Sequence, residues 1–410
     1  MMHKKKFRIP GRYLFIGGEA LFYRMPMSAN HLSRHLGDYV EQLDIVGYGD
    51  FYGGEPAPFH HRLLRGFSNI LRDRVSITMD GSVRLITVRK LPLGEKLDLF
   101  VQGLWIYPNL RPELASVYDA GIVYNPEDLL TMLFLRADKR VRNILYLDVD
   151  NHASYYPRPW SGVIGKLEQA CIRRADGVIS VSRPLEELRR QQGAGRIRYV
   201  PNGVDFQLFN NAVEERAEHP PTLLYVGTLD RRWGVDLAIR AMPLLREHIP
   251  DARLLIAGDG PAEGELKELT ASLDLNDSIF FKGLVQYTDL PALMAEADLG
   301  IATSRKDAFR HFASPLKIFE YMAAGLPVVC SGGGDAERIT EESGAGVNIP
   351  FSPEVFAREV LELIASPERL SAASRTAVEY ARQRDWEHQT EQVASFLAEV
   401  TGSYRTPHPN

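Results

Sequence analysis

Lys317 and Glu320, three residues apart in the run FASPLKIFEYMAAGLPVVCSGGG (312–334), have the spacing that points most directly to chemistry. Ser314 is suited to cap the start of a helix, Pro315 to take its first position, and Gly325 to end it in a left-handed conformation. The first turn of such a helix leaves N–H groups without intrahelical partners. Together with the helix dipole they attract an anion such as a diphosphate. Lys317 adds a full positive charge in that turn, and Glu320 follows on the same face. A carboxylate one turn below an anion site can accept hydrogen bonds from the vicinal hydroxyls of a ribose. Taken alone, such a pair is also what the solvated side of an amphipathic helix looks like.

A second set of groups lies in YLDVDNHASYYP (146–157), directly after a predicted strand, with Asp148, Asp150 and His152. Side chains at the carboxyl edge of a parallel sheet face its ligand site, so Asp150 and His152 are candidate general bases. Both aspartates could equally cap the turn that follows. Gly17 and Gly18 end the first predicted strand, either as a plain tight turn or to let a ligand approach the backbone.

Positioning these groups requires strands that alternate with helices. RYLFIG (12–17), EQLDIV (41–46), AGIVYN (120–125), NILYLD (143–148), GVISVS (177–182) and RIRYVP (196–201) read as strands of a first sheet. SITMDGSVRLITV (76–88), with Asp80-Gly81 at its centre, reads as a hairpin. TLLYVG (222–227), ARLLIAG (252–258), SIFFKG (278–283), LGIAT (299–303) and PVVCS (327–331) read as a second sheet. Residues 201–222, polar and bounded by prolines, read as a linker. The expectation is an α/β chain of two doubly wound Rossmann-like domains facing each other across a cleft.

The 410 residues suffice for two or three domains, and 45% hydrophobic with 25% charged residues excludes disordered and fibrous classes. A formal net charge of −5 disfavours a nucleic-acid-coating protein. Cys171 and Cys330 are the sole cysteines and lack metal-site spacing, so no disulfide framework is expected and a reducing compartment fits. No apolar run reaches the length of a secretory signal or a membrane span, so a cytoplasmic location is expected. FHHRLLRGFSNILRDR (59–74) carries Phe59, Leu63, Phe67, Ile70 and Leu71 on one stripe among six basic or imidazole side chains. Such a helix either packs on its own domain or lies on the inner face of a membrane.

SPLKIFEYMAAGLPVV, with YVGTLDRRWGVDLAI (225–239), LLIAGDGP (254–261) and YVPNGVDFQLF (199–209), resembles the group 1 glycosyltransferase family, whose fold is the two-Rossmann GT-B fold. The likeness is strong over the linker and second half, weaker over the first. It resembles most the bacterial members that assemble polysaccharides and glycolipids and carry a Ser-Pro-Leu-Lys donor loop. The resemblance implies an acceptor domain over 1–205, a nucleotide-sugar donor domain over 206–385, and a closing helix over 386–410 that crosses back. It implies transfer of a hexose-type sugar from a UDP- or GDP-linked donor to a glycan or lipid-linked glycan, with neither a metal nor a separate cofactor. In its terms Glu320 binds the ribose, while Lys317 with the Ser314, Pro315 and Leu316 backbone binds the diphosphate. Gly227 and Gly18 are the glycine turns of the two domains, and Asp150 is the base with His152 next to it. Asp148 and Asp150 also spell Asp-x-Asp, a metal-chelating pair in another transferase fold.

The chain departs from the family pattern in three places. Phe312 stands where many members place a second glutamate, which leaves retaining or inverting stereochemistry open. Thr228 and Trp233 stand where many have Arg and Lys, leaving Arg231 and Arg232 as cations for the diphosphate or as solvated loop residues. Arg305, Lys306 and Arg310 in the loop 304–311 would suit an acidic sugar. A sugar-nucleotide epimerase of the same fold and a non-catalytic sugar-nucleotide-binding protein are the alternative readings. Gly258, Gly260 and Gly264 superficially match a dinucleotide fingerprint, but the third glycine is one residue late and Pro261 removes an N–H.

Overall fold

A computed structural model of the chain describes residues 7–18, 28–49, 74–81, 83–89, 95–114, 117–214, 219–305 and 311–403. Of the segment 59–74 read as a basic amphipathic stripe, residues 59–73 lie outside the described residues, as do Lys306 and Arg310. The chain divides into two compact units. One comprises Met1–Val181, Leu185–Val200 and Thr390–Asn410, the other Ser182–Pro184 and Pro201–Gln389.

The first unit is built on β1 (Ile9–Gly18), β2 (Val40–Gly49), β3 (Val75–Asp80), β4 (Val83–Arg89), β5 (Tyr118–Val123), β6 (Val141–Asp148), β7 (Gly177–Ser180) and β8 (Ile197–Tyr199). Their order in the sheet is β3-β4-β2-β1-β5-β6-β7-β8. All neighbours are parallel except β3 and β4, the hairpin turned at Asp80 and Gly81 as the sequence indicates. Strands β5 and β6 are apolar and buried for most of their length, as a sheet covered on both faces requires. One face packs Phe15, Ile45, Ile122 and Leu147 with Val393, Phe396 and Leu397 of the helix Trp386–Thr401. The opposite face packs Leu14, Val46, Ile86 and Tyr146 with Ile106, Met132 and Ile172.

The second unit uses β9 (Thr222–Val226), β10 (Arg253–Ala257), β11 (Ile279–Gly283), β12 (Leu299–Ala302), β13 (Val328–Ser331) and β14 (Gly346–Ile349). Their order, β11-β10-β9-β12-β13-β14, is that of a doubly wound dinucleotide-type sheet. Its order reverses between β9 and β12, where such sheets bind ligands beyond their carboxyl ends. Strand β14 was not among the elements expected from sequence, because four residues that include Gly346 and Asn348 carry little strand signal.

One expectation needs correction. The stretch 201–222 is not a bare linker, since it contains the helix Phe206–Glu214 with Phe206, Phe209 and Ala212 buried. Its apolar residues are few but fall on one helical stripe, which composition alone hides. Gly258 and Gly260, already off the dinucleotide pattern in sequence, serve the packing of two loops. A Cβ on Gly258 would overlap the Gly227 carbonyl, and one on Gly260 would overlap that of Leu229. Both sit at positive φ (139° and 153°), so the two loops lock together through backbone that only glycine supplies. Gly258→Ala is expected to cost about 1–3 kcal/mol in denaturant unfolding. An unchanged midpoint would refute this packing.

Candidate active site

The geometry begins where β9 and β12 part. Their pairing ends at Ile301 opposite Tyr225. The Tyr321 hydroxyl fills the opening beyond, accepting the Val226 N–H at 2.7 Å and donating to the Ile301 carbonyl at 3.3 Å. Tyr321 is fully buried, and its ring lies where a Cβ of Gly300 would stand. This residue fixes the helix Leu316–Ala323 against the two strand ends, and sequence reading passed over it. The signal available was its place one residue after Glu320, on the inward face.

That helix starts one residue later than expected. Pro315, not Ser314, is the capping position, with extended backbone and no side-chain capping bond. Proline occupies it because the N–H it lacks would have no helical partner there. Ser314 is buried, and its carbonyl accepts from Asn202 Nδ2 at 3.0 Å. Gly325 ends the helix at φ 70°, as expected.

Lys317 projects from the first turn toward the end of β9. Its Nζ lies 4.3 Å from the Tyr225 ring centroid and 4.9 Å from that of Trp233. A Cβ on Gly227 would come within 2.6 Å of the same nitrogen, so glycine there lets the ammonium reach the strand end. Trp233 therefore does more than replace a cation. With Tyr225 it gives the ammonium two π faces, a favourable setting for a cation. Thr303 Oγ1 holds this turn by donating to the Trp233 and Gly234 carbonyls, each at 3.1 Å. Trp233, Thr303, Ser304, Pro315, Lys317 and Gly333 line a shallow recess here.

Glu320 follows on the same helix. Burial pushes its carboxyl up to about 7, with Lys317 pulling it back. Among the described residues its carboxylate has no hydrogen-bond partner, an arrangement that a polyol ligand would satisfy. Tyr287 is close enough that the charge of Glu320, after burial, raises its hydroxyl further. Its ring meets Phe209 edge-on at 5.3 Å.

The arginines expected beside this site are otherwise engaged. Arg231 forms a two-pronged ion pair with Glu265, and Arg232 bonds Asp230 at 3.0 Å. Thr228 is exposed, and its carbonyl accepts from the Tyr225 hydroxyl at 2.9 Å. Arg305 donates to Asp236 at 2.7 Å and stacks on Phe351. Phe312 offers its carbonyl to Ser182 Oγ at 2.6 Å and contributes no carboxylate.

In the first unit, Gly18 is the last residue of β1. Asp150 and His152 follow the end of β6, at the carboxyl edge as predicted, with His152 opening a short turn of helix. Burial and then the charge of Arg189 push the His152 imidazole down to about 4, so it is neutral at physiological pH. Asp148 is a different kind of group. It is fully buried and grips Arg189 through two bonds, 2.9 Å and 3.0 Å, with Ser180 Oγ at 3.1 Å. Its lone pairs are occupied by that cation, so the Asp-x-Asp spelling does not describe a chelating pair in this structure.

Cys171 and Cys330 are both buried free thiols. Among the described residues no helix is long and apolar enough to cross a membrane.

Comparison with known proteins places these features in context. Residues 207–384 match the family of glycosyl transferases group 1, and residues 86–208 match glycosyltransferase family 4. A glycogen synthase of Mycobacterium tuberculosis is 28% identical over 309 residues, covering 73% of this chain and 72% of that protein. A GDP-mannose-dependent phosphatidylinositol monomannoside mannosyltransferase of the same species is 29% identical over 216 residues, 50% of this chain and 56% of the relative. Sucrose-phosphate synthase from Thermosynechococcus elongatus superposes with a TM-score of 0.75 at 19% identity, covering 96% of this chain and all of that one (100%). HepE from Anabaena, solved with UDP, superposes at 0.69 with 18% identity over 95% of this chain and 100% of its own.

Proposed function

The chain belongs to the group 1 glycosyltransferases of GT-B fold, and from that premise we propose that it moves a hexosyl group from a UDP- or GDP-linked donor to a glycan or lipid-linked glycan. The observation that carries the donor half is the Lys317–Glu320 pair at the β9–β12 reversal. It sets an aromatic-lined ammonium one turn from a carboxylate that, among the described residues, has no hydrogen-bond partner. Lys317 and the first turn of its helix take the diphosphate, and Glu320 takes the ribose hydroxyls. Support for a uridine or guanosine diphosphate comes from HepE, solved with UDP, and from the GDP-mannose-dependent relative. That relative's phosphatidylinositol mannoside acceptor supports a lipid-linked one.

In the transfer, the acceptor oxygen bonds to the anomeric carbon as the bond from that carbon to the diphosphate breaks. The electron pair leaves with the diphosphate, and Lys317 with the helix dipole stabilises the charge that develops there. The acceptor proton passes to Asp150. His152, neutral at physiological pH, is the next candidate to take that proton. The field of the helix start and Lys317 makes an added metal dispensable, and no cofactor beyond the donor is called for.

The test is release of UDP or GDP from UDP-glucose, UDP-N-acetylglucosamine and GDP-mannose, with and without a bacterial lipid extract and with EDTA. Acceptor-dependent release that ignores EDTA is expected. Interconversion of the donor without acceptor would instead identify an epimerase, and binding without release a sugar-nucleotide sensor.

The Glu320 carboxyl adds a pH signature. A ribose hydroxyl bonds the ionised form better, so UDP-glucose affinity is expected to rise from pH 6 to pH 8 and level off above that. In the free protein the sign is opposite. The native state holds a proton that the unfolded chain releases near its ordinary value of 4.5, so the stability this group contributes is full below 4.5 and lost as pH rises through 7. Affinity measured by calorimetry that is flat across this range would exclude Glu320 as the ribose ligand.

A further inference from the structure

Among the described residues Arg189 is the largest fully buried side chain, and it lies outside every motif of the donor site. We infer that Arg189 and Glu168 are positioning residues that hold the 148–153 loop, and with it Asp150 and His152, in the geometry needed for proton transfer. The inference rests on the proposed role of that loop.

The contacts run from two helices to one loop. Arg189, on the helix Arg183–Gln191, sends Nε and Nη2 to the two oxygens of Asp148 at the end of β6. The same Nη2 reaches the Asp150 carbonyl at 3.3 Å and Glu168 Oε1 at 3.1 Å. Glu168, on the helix Trp160–Arg174, accepts the His152 N–H at 2.6 Å and the Ala153 N–H at 3.4 Å. The guanidinium thus fixes the strand end and one carbonyl of the loop. The carboxylate fixes the next two amides.

A rigid fork suits this task, because five fixed donors define direction as well as charge. Arg189 is wholly buried and Glu168 nearly so, which makes the arrangement costly as a stabilising device compared with apolar packing. Buried polar networks of this kind specify a single local geometry when fully bonded. Two carboxylates share one cation, and burial raises both. Glu168 remains the acceptor for the loop amides. The loop it fixes is the one that carries the two candidate proton-transfer groups.

The experiment compares Glu168→Ala and Glu168→Gln with the natural protein. It measures UDP release from UDP-glucose and GDP release from GDP-mannose, water serving as acceptor, on whichever donor turns over. Alanine removes the acceptor of the His152 and Ala153 amides, whereas glutamine keeps a carbonyl oxygen there. The expected result for Glu168→Ala is a kcat at least tenfold lower with a donor KM within twofold. Glu168→Gln should recover to within about threefold of the natural rate. Amide exchange in the natural protein is the second measurement, with His152 protected at least tenfold beyond neighbouring loop amides. A folded Glu168→Ala with unchanged kcat, a loss that appears in donor KM, or a His152 amide exchanging at the loop rate would each overturn the inference. Asp150→Asn and His152→Ala separate the two claims. If both keep full turnover, the reading of the loop fails and the inference with it. If they lose turnover while Glu168→Ala does not, the positioning role alone is wrong.

Discussion

Replacing Asp148 with alanine is expected to destabilise the first unit by about 3–5 kcal/mol. The carboxylate satisfies Nε and half of Nη2 of a guanidinium that has no access to water, so its removal strands a buried charge. Glu168 stays within 3.1 Å but already accepts two loop amides and cannot take over both bonds. Asp148→Asn keeps the shape and one acceptor and should cost less, about 1–3 kcal/mol. Urea unfolding followed by circular dichroism separates the two. A loss below about 1 kcal/mol for Asp148→Ala would mean that the pair contributes little and that Asp148 is free for another role, including metal binding.

The second large effect is at the donor site. Lys317→Ala is expected to weaken UDP binding by about 1.5–3 kcal/mol, roughly 10- to 150-fold, the worth of a charge-assisted hydrogen bond. The effect should not be purely electrostatic. Tyr225 and Trp233 hold the ammonium against the β9 end, so Lys317→Arg, with a larger planar head between the same rings, should not restore full affinity. Isothermal calorimetry at constant ionic strength reads the change. Affinity retained in Lys317→Ala would move the diphosphate elsewhere, with the engaged Arg231 and Arg232 as the next groups to test.

Much of this architecture was legible from residue pattern. Continuous apolar runs such as TLLYV and NILYLD mark strands buried on both faces, and Asp80-Gly81 between two β-prone runs marks a hairpin. Lys317 and Glu320 were legible because type, spacing and a helix start coincide at one place. The failures have common physical causes. The helix Phe206–Glu214 was missed because a few buried apolar residues on one stripe are diluted by polar neighbours. Ser314 was read as the cap because its hydroxyl is good at capping, but proline one residue later already fits the extended backbone there. The ion pairs of Arg231, Arg232 and Arg305 with Glu265, Asp230 and Asp236 were not legible because the partners meet only in the folded chain or at a turn. Arg189 and Glu168 were invisible for the same reason: single charged residues on two helices do not announce that they converge on Asp148.

The most direct test of the donor site is calorimetric titration of the purified protein with UDP, GDP, ADP and dTDP, with and without EDTA, beside Glu320→Ala and Lys317→Ala. The donor site described above predicts that UDP or GDP binds, that EDTA changes nothing, and that each variant loses at least tenfold in affinity. Binding of none of the four, or binding indifferent to Glu320 and Lys317, would contradict it.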